Sequence, residues 1–341
     1  MHTVGSLSYV KFGSIIGRTH YKRAYMKIRN IFPLIITTLL LHTSCSSNDD
    51  GFSDLEGSGI TITDDVDCCS AEEALQVYKF ISTLKIVPEL QSSVEGKYNI
   101  FAYSKDGSFH TGYNDLYFVA TKKSSGNYIK NFSLSLVPQM TMGAMNNMQH
   151  STPVSDSIQS FNDSYLAVKR GWISFLMNST EQNTWSLSYN AQVLGTEAEL
   201  KDVSISVSSL ASDQSWVKSF SIGDDTYYIS LVNPTDWTIG TNAIRAYVSK
   251  KSSTLTEPYH LANDSFTIDI YPEMPDMGGH TSPDNVGLTR QTDGSYEGTV
   301  NITMTGLWRI HLTVRDDSGN VVAGGDTAKD GLSSLYFDVT L

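Results

Sequence analysis

Cysteine is nearly absent from this sequence: Cys45, Cys68 and Cys69 are the only three in 341 residues. Such a count excludes a disulfide-built fold and leaves the hydrophobic core to carry stability. Adjacent Cys68 and Cys69 can close only a strained eight-membered ring. Ligation of a metal and pairing with another chain both stay open for them. Long apolar runs are missing as well. The run from Ile31 to Leu41 is about half of the roughly 20 residues that a bilayer-crossing helix needs. Catalytic signatures are missing too: there is no G-x-S-x-G, H-E-x-x-H, P-loop or dinucleotide fingerprint. No carboxylate pair stands out from the general acidity, so the sequence offers nothing to an enzyme reading.

Acidic residues are absent from the first 44 positions, which hold Lys11, Arg18, Lys22, Arg23, Lys27 and Arg29. A basic start, a short apolar core and then small polar residues make a secretory signal over 1–44. Met26 opens a signal of more usual length and is the expected true start. The signal ends at Thr43-Ser44-Cys45, which resembles the lipobox of bacterial lipoproteins, with His42 where the family prefers Leu. That resemblance implies acylation of Cys45 and anchorage in a lipid bilayer. Ser46-Ser47-Asn48-Asp49-Asp50 resembles the acidic signal that sends some Gram-negative lipoproteins to the cell surface. An outer-membrane, surface-exposed position in the cell envelope is therefore expected. Removing the leader takes six cations and no acid, leaving 18 basic against 36 acidic residues, a formal charge of −18. Such a surface repels nucleic acid and anionic lipid and concentrates cations. It also keeps an exported protein soluble, and that alone would account for it.

An internal repeat organises the remainder. Gly112, Asn114, Lys122, Lys123, Ser124 and Ser125 recur 128 positions later as Gly240, Asn242, Lys250, Lys251, Ser252 and Ser253. Pro138-Gln139-Met140 returns as Pro272-Glu273-Met274, and His150-Ser151-Thr152-Pro153 as His280-Thr281-Ser282-Pro283. Asp163-Ser164-Tyr165 is matched with Gly294-Ser295-Tyr296, and Met177 and Trp185 with Met304 and Trp308. Within each copy, segments such as FSLSLVP and FTIDIYP, or WSLSYNAQV and WRIHLTV, alternate apolar and polar residues as strands do. KDG, KKSSGN, TDG and RDDSGN supply the turns. The expected fold is all-β: two tandem immunoglobulin-like β-sandwiches, copy one over 95–214 and copy two over 215–341. They follow an acidic tether at 45–70 that is expected to be disordered. Residues 71–94 read equally as a short helix or a pair of strands.

Six of the eight methionines beyond the leader fall in two segments, PQMTMGAMNNMQH and PEMPDMGGH. They place Met140, Met142, Met145, Met148 and His150 in copy one, and Met274, Met277 and His280 in copy two, just after a strand ending in Pro. Thioether sulfur is a soft neutral ligand that prefers Cu(I) to zinc, calcium or magnesium. Imidazole adds a stronger donor. All eight residues are candidate copper ligands. Methionine is also a flexible core filler, so the same loops could plug the ends of the sandwiches. Met177 and Met304 could reach the loops or lie in the core. Trp185 and Trp308 are expected in the core, and His110, His260 and His311 are expected to be structural or solvent-facing.

The pattern P-x-M, M, H-x-x-P, then Gly294-x-Tyr296-x-Gly298, then Met304-x-Gly306-x-Trp308 resembles the YtkA-like domain, akin to FixH-type proteins. Copy two carries it over 266–314. Copy one keeps Pro138, Met140, His150, Pro153, Tyr165, Met177 and Trp185 but lacks the later glycines. The resemblance implies a small β-sandwich outside the cytoplasmic membrane, in a setting of copper handling or cytochrome oxidase assembly. The expected function is a membrane-anchored copper carrier or buffer, with a copper-handling or oxidase-assembly protein as partner and no nucleic acid. The alternative is a non-catalytic surface binding or adhesion scaffold with no metal.

Overall fold

The alternating segments fold as strands whose apolar residues point inward. In Phe132–Met142, every second side chain from Phe132 to Met140 is buried and those between are exposed or half-buried. The computed structural model describes residues 70–161, 165–210, 216–325 and 332–341. The signal, Cys45, the tether, Cys68 and Cys69 lie outside the described residues, as do Asp163 and Ser164.

In the first copy, one sheet runs in the order Lys85–Ile86, Tyr98–Ser104, Gly112–Lys122, Lys169–Phe175 and Gln159–Ser160. The facing sheet runs Thr196–Ile205, Asn183–Val193, Phe132–Met142 and Met148–His150. Between them lies a core that includes Ile100, Leu116, Phe118, Trp185 and Leu187. Val87, Leu90 and Val94 belong to that core, so the segment before residue 95 is built into the first sandwich. Its start is a helix, Ala71–Ile81, with a Ser70–Glu73 capping box. Ala74, Val77 and Ile81 share one helix face and pack with Val119, Tyr128 and Phe80 on the sheet's outer side.

The second copy has its own core, from Phe220 to Val339. Its strands form one continuous sheet rather than two. Val286–Arg290 pairs with both Ser295–Ile302 and Thr267–Met274, joining the two layers. Glycine permits this crossing. A Cβ on Gly287 would stand 2.9 Å from the Ile268 carbonyl oxygen, and one on Gly298 would collide with that of Val286.

The two copies share details that explain the repeated residues. Asn114 donates to the carbonyls of His110 (2.7 Å) and Gly112 (2.8 Å), and Asn242 to those of Thr238 (2.7 Å) and Gly240 (2.9 Å). Gly112 and Gly240 adopt φ of 89° and 108° in that turn, where glycine is favoured. Two expectations need correcting. Leu116 pairs with Gly171 as Ile244 pairs with Gly298, so the first copy does keep a glycine at that place in the register, though no strand crosses there. Ala246 pairs with Tyr296 and its equivalent Phe118 with Lys169. The counterpart of Tyr296 is therefore Lys169, not Tyr165.

The sandwiches abut through outer sheet faces. Trp172 stacks on Tyr247 with centroids 4.7 Å apart, and Ser230 donates to Ser174 across a buried contact of 2.7 Å. Tyr259 adds a parallel bridge to Pro153, donating to the Thr152 carbonyl while its own carbonyl accepts from Val154, both at 3.1 Å.

Candidate methionine–histidine hairpins

Both methionine segments are tight hairpins at the same end of their sandwich. Met140 pairs with His150 across the first hairpin, and Met274 with His280 across the second. Trp185 pairs with Met140 from the other side. The Trp185 ring meets His150 edge-on at 5.7 Å, and Trp308 lies 6.1 Å from His280. Each tryptophan is anchored alike: Trp185 donates to the Met177 carbonyl at 2.8 Å, and Trp308 to that of Met304 at 2.9 Å. Ser151 donates to the Pro138 carbonyl (2.6 Å) as Thr281 does to that of Pro272 (2.7 Å).

The hairpins differ in length. Each turns through a short 3-10 segment, Gly143–Met145 or Pro275–Met277, and then two left-handed residues, Asn146 and Asn147 or Gly278 and Gly279. In the first, two more rungs precede the turn: Thr141 pairs with Gln149 and Met142 with Met148. Side chains alternate along a strand. Met140, His150, Met142 and Met148 therefore share one face, while Thr141 and Gln149 take the other.

The structure sorts the candidate ligands by access. Met140 and Met274 are 0% and 3% exposed and belong to the two cores, which takes them out of the donor set that an ion from solvent can reach. A Cβ on Gly306 would stand 2.8 Å from Met274 Cε, so this glycine makes room for the buried methionine. Met177 and Met304 are half-buried against the same cores. Met145, Met148 and Met277 are 51%, 38% and 56% exposed, too open to be core filler. Met142 and His150 are half-buried, and His280 is exposed.

The His150 ring is held by the backbone. Its Nδ1 lies 2.8 Å from the Ser151 carbonyl oxygen. A carbonyl only accepts, so Nδ1 carries hydrogen and Nε2 is the nitrogen left to meet a ligand. His280 instead places Nε2 3.5 Å from the Thr303 hydroxyl. Among the described residues, no three His, Cys, Asp or Glu side chains gather into a metal-sized cluster. The hairpin donors are soft thioethers plus one imidazole, a set that fits copper.

Sequence reasoning missed a buried pair beside the second hairpin. His311 Nε2 lies 3.1 Å from Glu273 Oε1, and Nδ1 lies 2.8 Å from the Ser333 carbonyl oxygen. The alternation of His311 with Ile310 and Leu312 put it on the outer face, which holds, but that face is covered here.

Fold and hairpins together define a class: an all-β protein of paired sandwiches, each with a Met–His hairpin at one end. Within it, residues 223–313 match the model of the YtkA-like family, so the second sandwich carries a YtkA-like domain. No curated protein matches the chain. Among solved structures, invasin, a bacterial integrin-binding protein, is similar at 14% identity with a TM-score of 0.19. That match covers 71% of this chain and 39% of the invasin chain, well under half its length.

Proposed function

We propose that this protein is a non-catalytic copper carrier or buffer of the cell envelope, built from two YtkA-like sandwiches in tandem and tethered to the bilayer through acylated Cys45. The observation that carries the reading is the recurrence of one rung. Met and His face each other beside a tryptophan at the same end of both sandwiches. Just beyond each rung, exposed thioethers from Met145 and Met148, or from Met277, reach solvent. The strongly acidic surface favours cation capture. A copper-handling or oxidase-assembly protein is the fitting recipient, since exposed thioethers exchange ligands readily.

The test is an anaerobic titration of the full chain with Cu(I) against a competing chelator. Wild type is expected to keep copper against a micromolar-affinity competitor. Changing Met142, Met145 and Met148 together to Ser is expected to release most of it while the fold persists. Complete surrender of copper by wild type would sink the reading. A second reading, a metal-free binding or adhesion scaffold, draws on the close sandwich junction at Trp172, Tyr247, Ser174 and Ser230. It expects the surface role to survive every hairpin substitution. Membrane fractionation after Cys45→Ser tests the anchor, with release to the soluble fraction expected.

A further inference from the structure

The two extra rungs of the first hairpin have no counterpart in the second. By the tryptophan, the proline and the hydroxyl contacts, Met140 is equivalent to Met274 and His150 to His280. By the turn, Met142 is equivalent to Met274, because each caps the 3-10 segment and is followed by the same pair of left-handed residues. Both alignments hold if the first hairpin is the second with four residues added: Thr141, Met142, Met148 and Gln149. Two of the four are methionines directly opposite each other. Their Cβ atoms are expected about 5 Å apart, as in any directly paired rung. They lie one step above His150 on its face of the ladder. Met142 is half-buried against the edge of the core, but core packing does not account for Met148 opposite it, which is 38% exposed.

We propose that the added Met142–Met148 rung makes the first hairpin a Cu(I)-selective site formed by the sulfurs of Met142 and Met148 and by His150 Nε2. The inference rests on the copper reading above and narrows it to one oxidation state and one hairpin. Two neutral thioethers and one neutral imidazole make a soft donor set without charge, which favours Cu(I) over Cu(II) and over hard divalent cations. The Ser151 carbonyl holds the ring with Nε2 free. The same residue's N–H donates to the Leu255 carbonyl of the second sandwich at 2.7 Å, so the ligand strand is braced across the domain junction. The second hairpin offers one accessible thioether, Met277, and a histidine whose Nε2 faces Thr303. It is the weaker site.

The experiment compares the full chain with two variants: Met142→Leu/Met148→Leu, which removes both sulfurs and keeps apolar bulk, and deletion of the four rung residues. Each is titrated with Cu(I) anaerobically and with Cu(II) in air. X-ray absorption counts the sulfur and nitrogen neighbours of the bound ion, and thermal melting reports the fold. Wild type is expected to bind its tightest Cu(I) at least 100-fold more strongly than Cu(II), with two sulfurs and one nitrogen around it. The double Leu variant is expected to lose at least 100-fold in Cu(I) affinity at an unchanged melting temperature. The deletion variant should fall to the affinity of the second hairpin. Unaltered Cu(I) affinity in the double Leu variant overturns the assignment, as does equal affinity for Cu(II). Failure of wild type to hold copper in either state overturns the broader reading instead.

Discussion

At the scale of single residues, Glu273 and His311 form the most demanding contact in the described chain. Their side chains are 6% and 2% exposed, and both ring nitrogens of His311 face acceptors, Glu273 Oε1 and the Ser333 carbonyl. Removing one member leaves the other buried with an unmet polar atom, which typically costs about 3–5 kcal/mol. His311→Ala is expected to lower unfolding free energy in urea by about that amount, whereas His110→Ala, at a half-buried position, should cost far less. Equal losses would show that the pair contributes nothing special. The first sandwich has Gln139 and Ser188 at the equivalent positions and lacks the pair. Alternation placed His311 on the outer face but could not reveal that Ser333 and Tyr336 cover it, because that cover comes from a strand late in the sequence. The same limit applies at the hairpins. Residue type singled out the Met–His hairpins, but could not show that Met140 and Met274 are buried. Period-two alternation carries each of them inward as the last core position of its strand.

Elements are more legible than contacts. The alternating segments are strands, and the KDG, KKSSGN, TDG and RDDSGN turns place Gly107, Gly126, Gly294 and Gly319 at positive φ. Sequence pattern alone does not decide the helix Ala71–Ile81, since 11 residues with a polar start and a Pro88 nearby suit either structure. Its capping box decides the matter: Ser70 Oγ accepts from the Glu73 N–H at 3.3 Å, and Glu73 Oε2 accepts from the Ser70 N–H at 2.9 Å. Ser70→Ala is expected to cost about 1 kcal/mol, read as loosened amide protection in the helix with the sandwiches unchanged. The crossing strand gives a second contrast. At Gly298 a Cβ meets backbone oxygens, whereas at Gly171 it meets the flexible Ile158 side chain at 2.9 Å. Backbone cannot step aside as a side chain can. Gly298→Ala should therefore destabilise at or above the top of the range of about 1–3 kcal/mol for overpacking, and Gly171→Ala nearer the bottom. Reversal of that order in denaturant melts would refute the crossing as the reason for Gly298. That the second copy closes into one continuous sheet was not readable from pattern, because Val286–Arg290 alternates like any other strand and nothing local says that it serves two layers.

At the scale of the whole molecule, the junction between the two sandwiches includes a His–Asp contact that titrates. His260 Nδ1 lies 3.3 Å from Asp156 Oδ1, which also accepts from the Leu261 N–H at 2.9 Å. The hydrogen bond to Asp156 raises the His260 pKa above 6.5, with Glu257 adding to it. Partial burial pushes Asp156 up, but the bonds from His260 and Leu261, with Arg290 nearby, hold it below 3.8. The signs follow from linkage. The histidine's share of the contact is complete below pH 6.5 and fades as pH rises through its raised value. The aspartate's share is present above pH 3.8 and fades as pH falls through its lowered value. The junction is therefore tightest in mildly acid solution. Both side chains are about half exposed, so solvent screens the pair and the effect is small. It becomes visible where the rest of the junction has been weakened. Trp172→Ala removes the ring that stacks on Tyr247, and in that background the sandwiches are expected to melt in two steps at pH 8 and closer together at pH 6. Adding His260→Gln should erase the pH difference and leave the two steps. The junction also braces Ser151 through Leu255, so at one fixed pH the Trp172→Ala protein should bind Cu(I) more weakly than wild type in the same competitive titration.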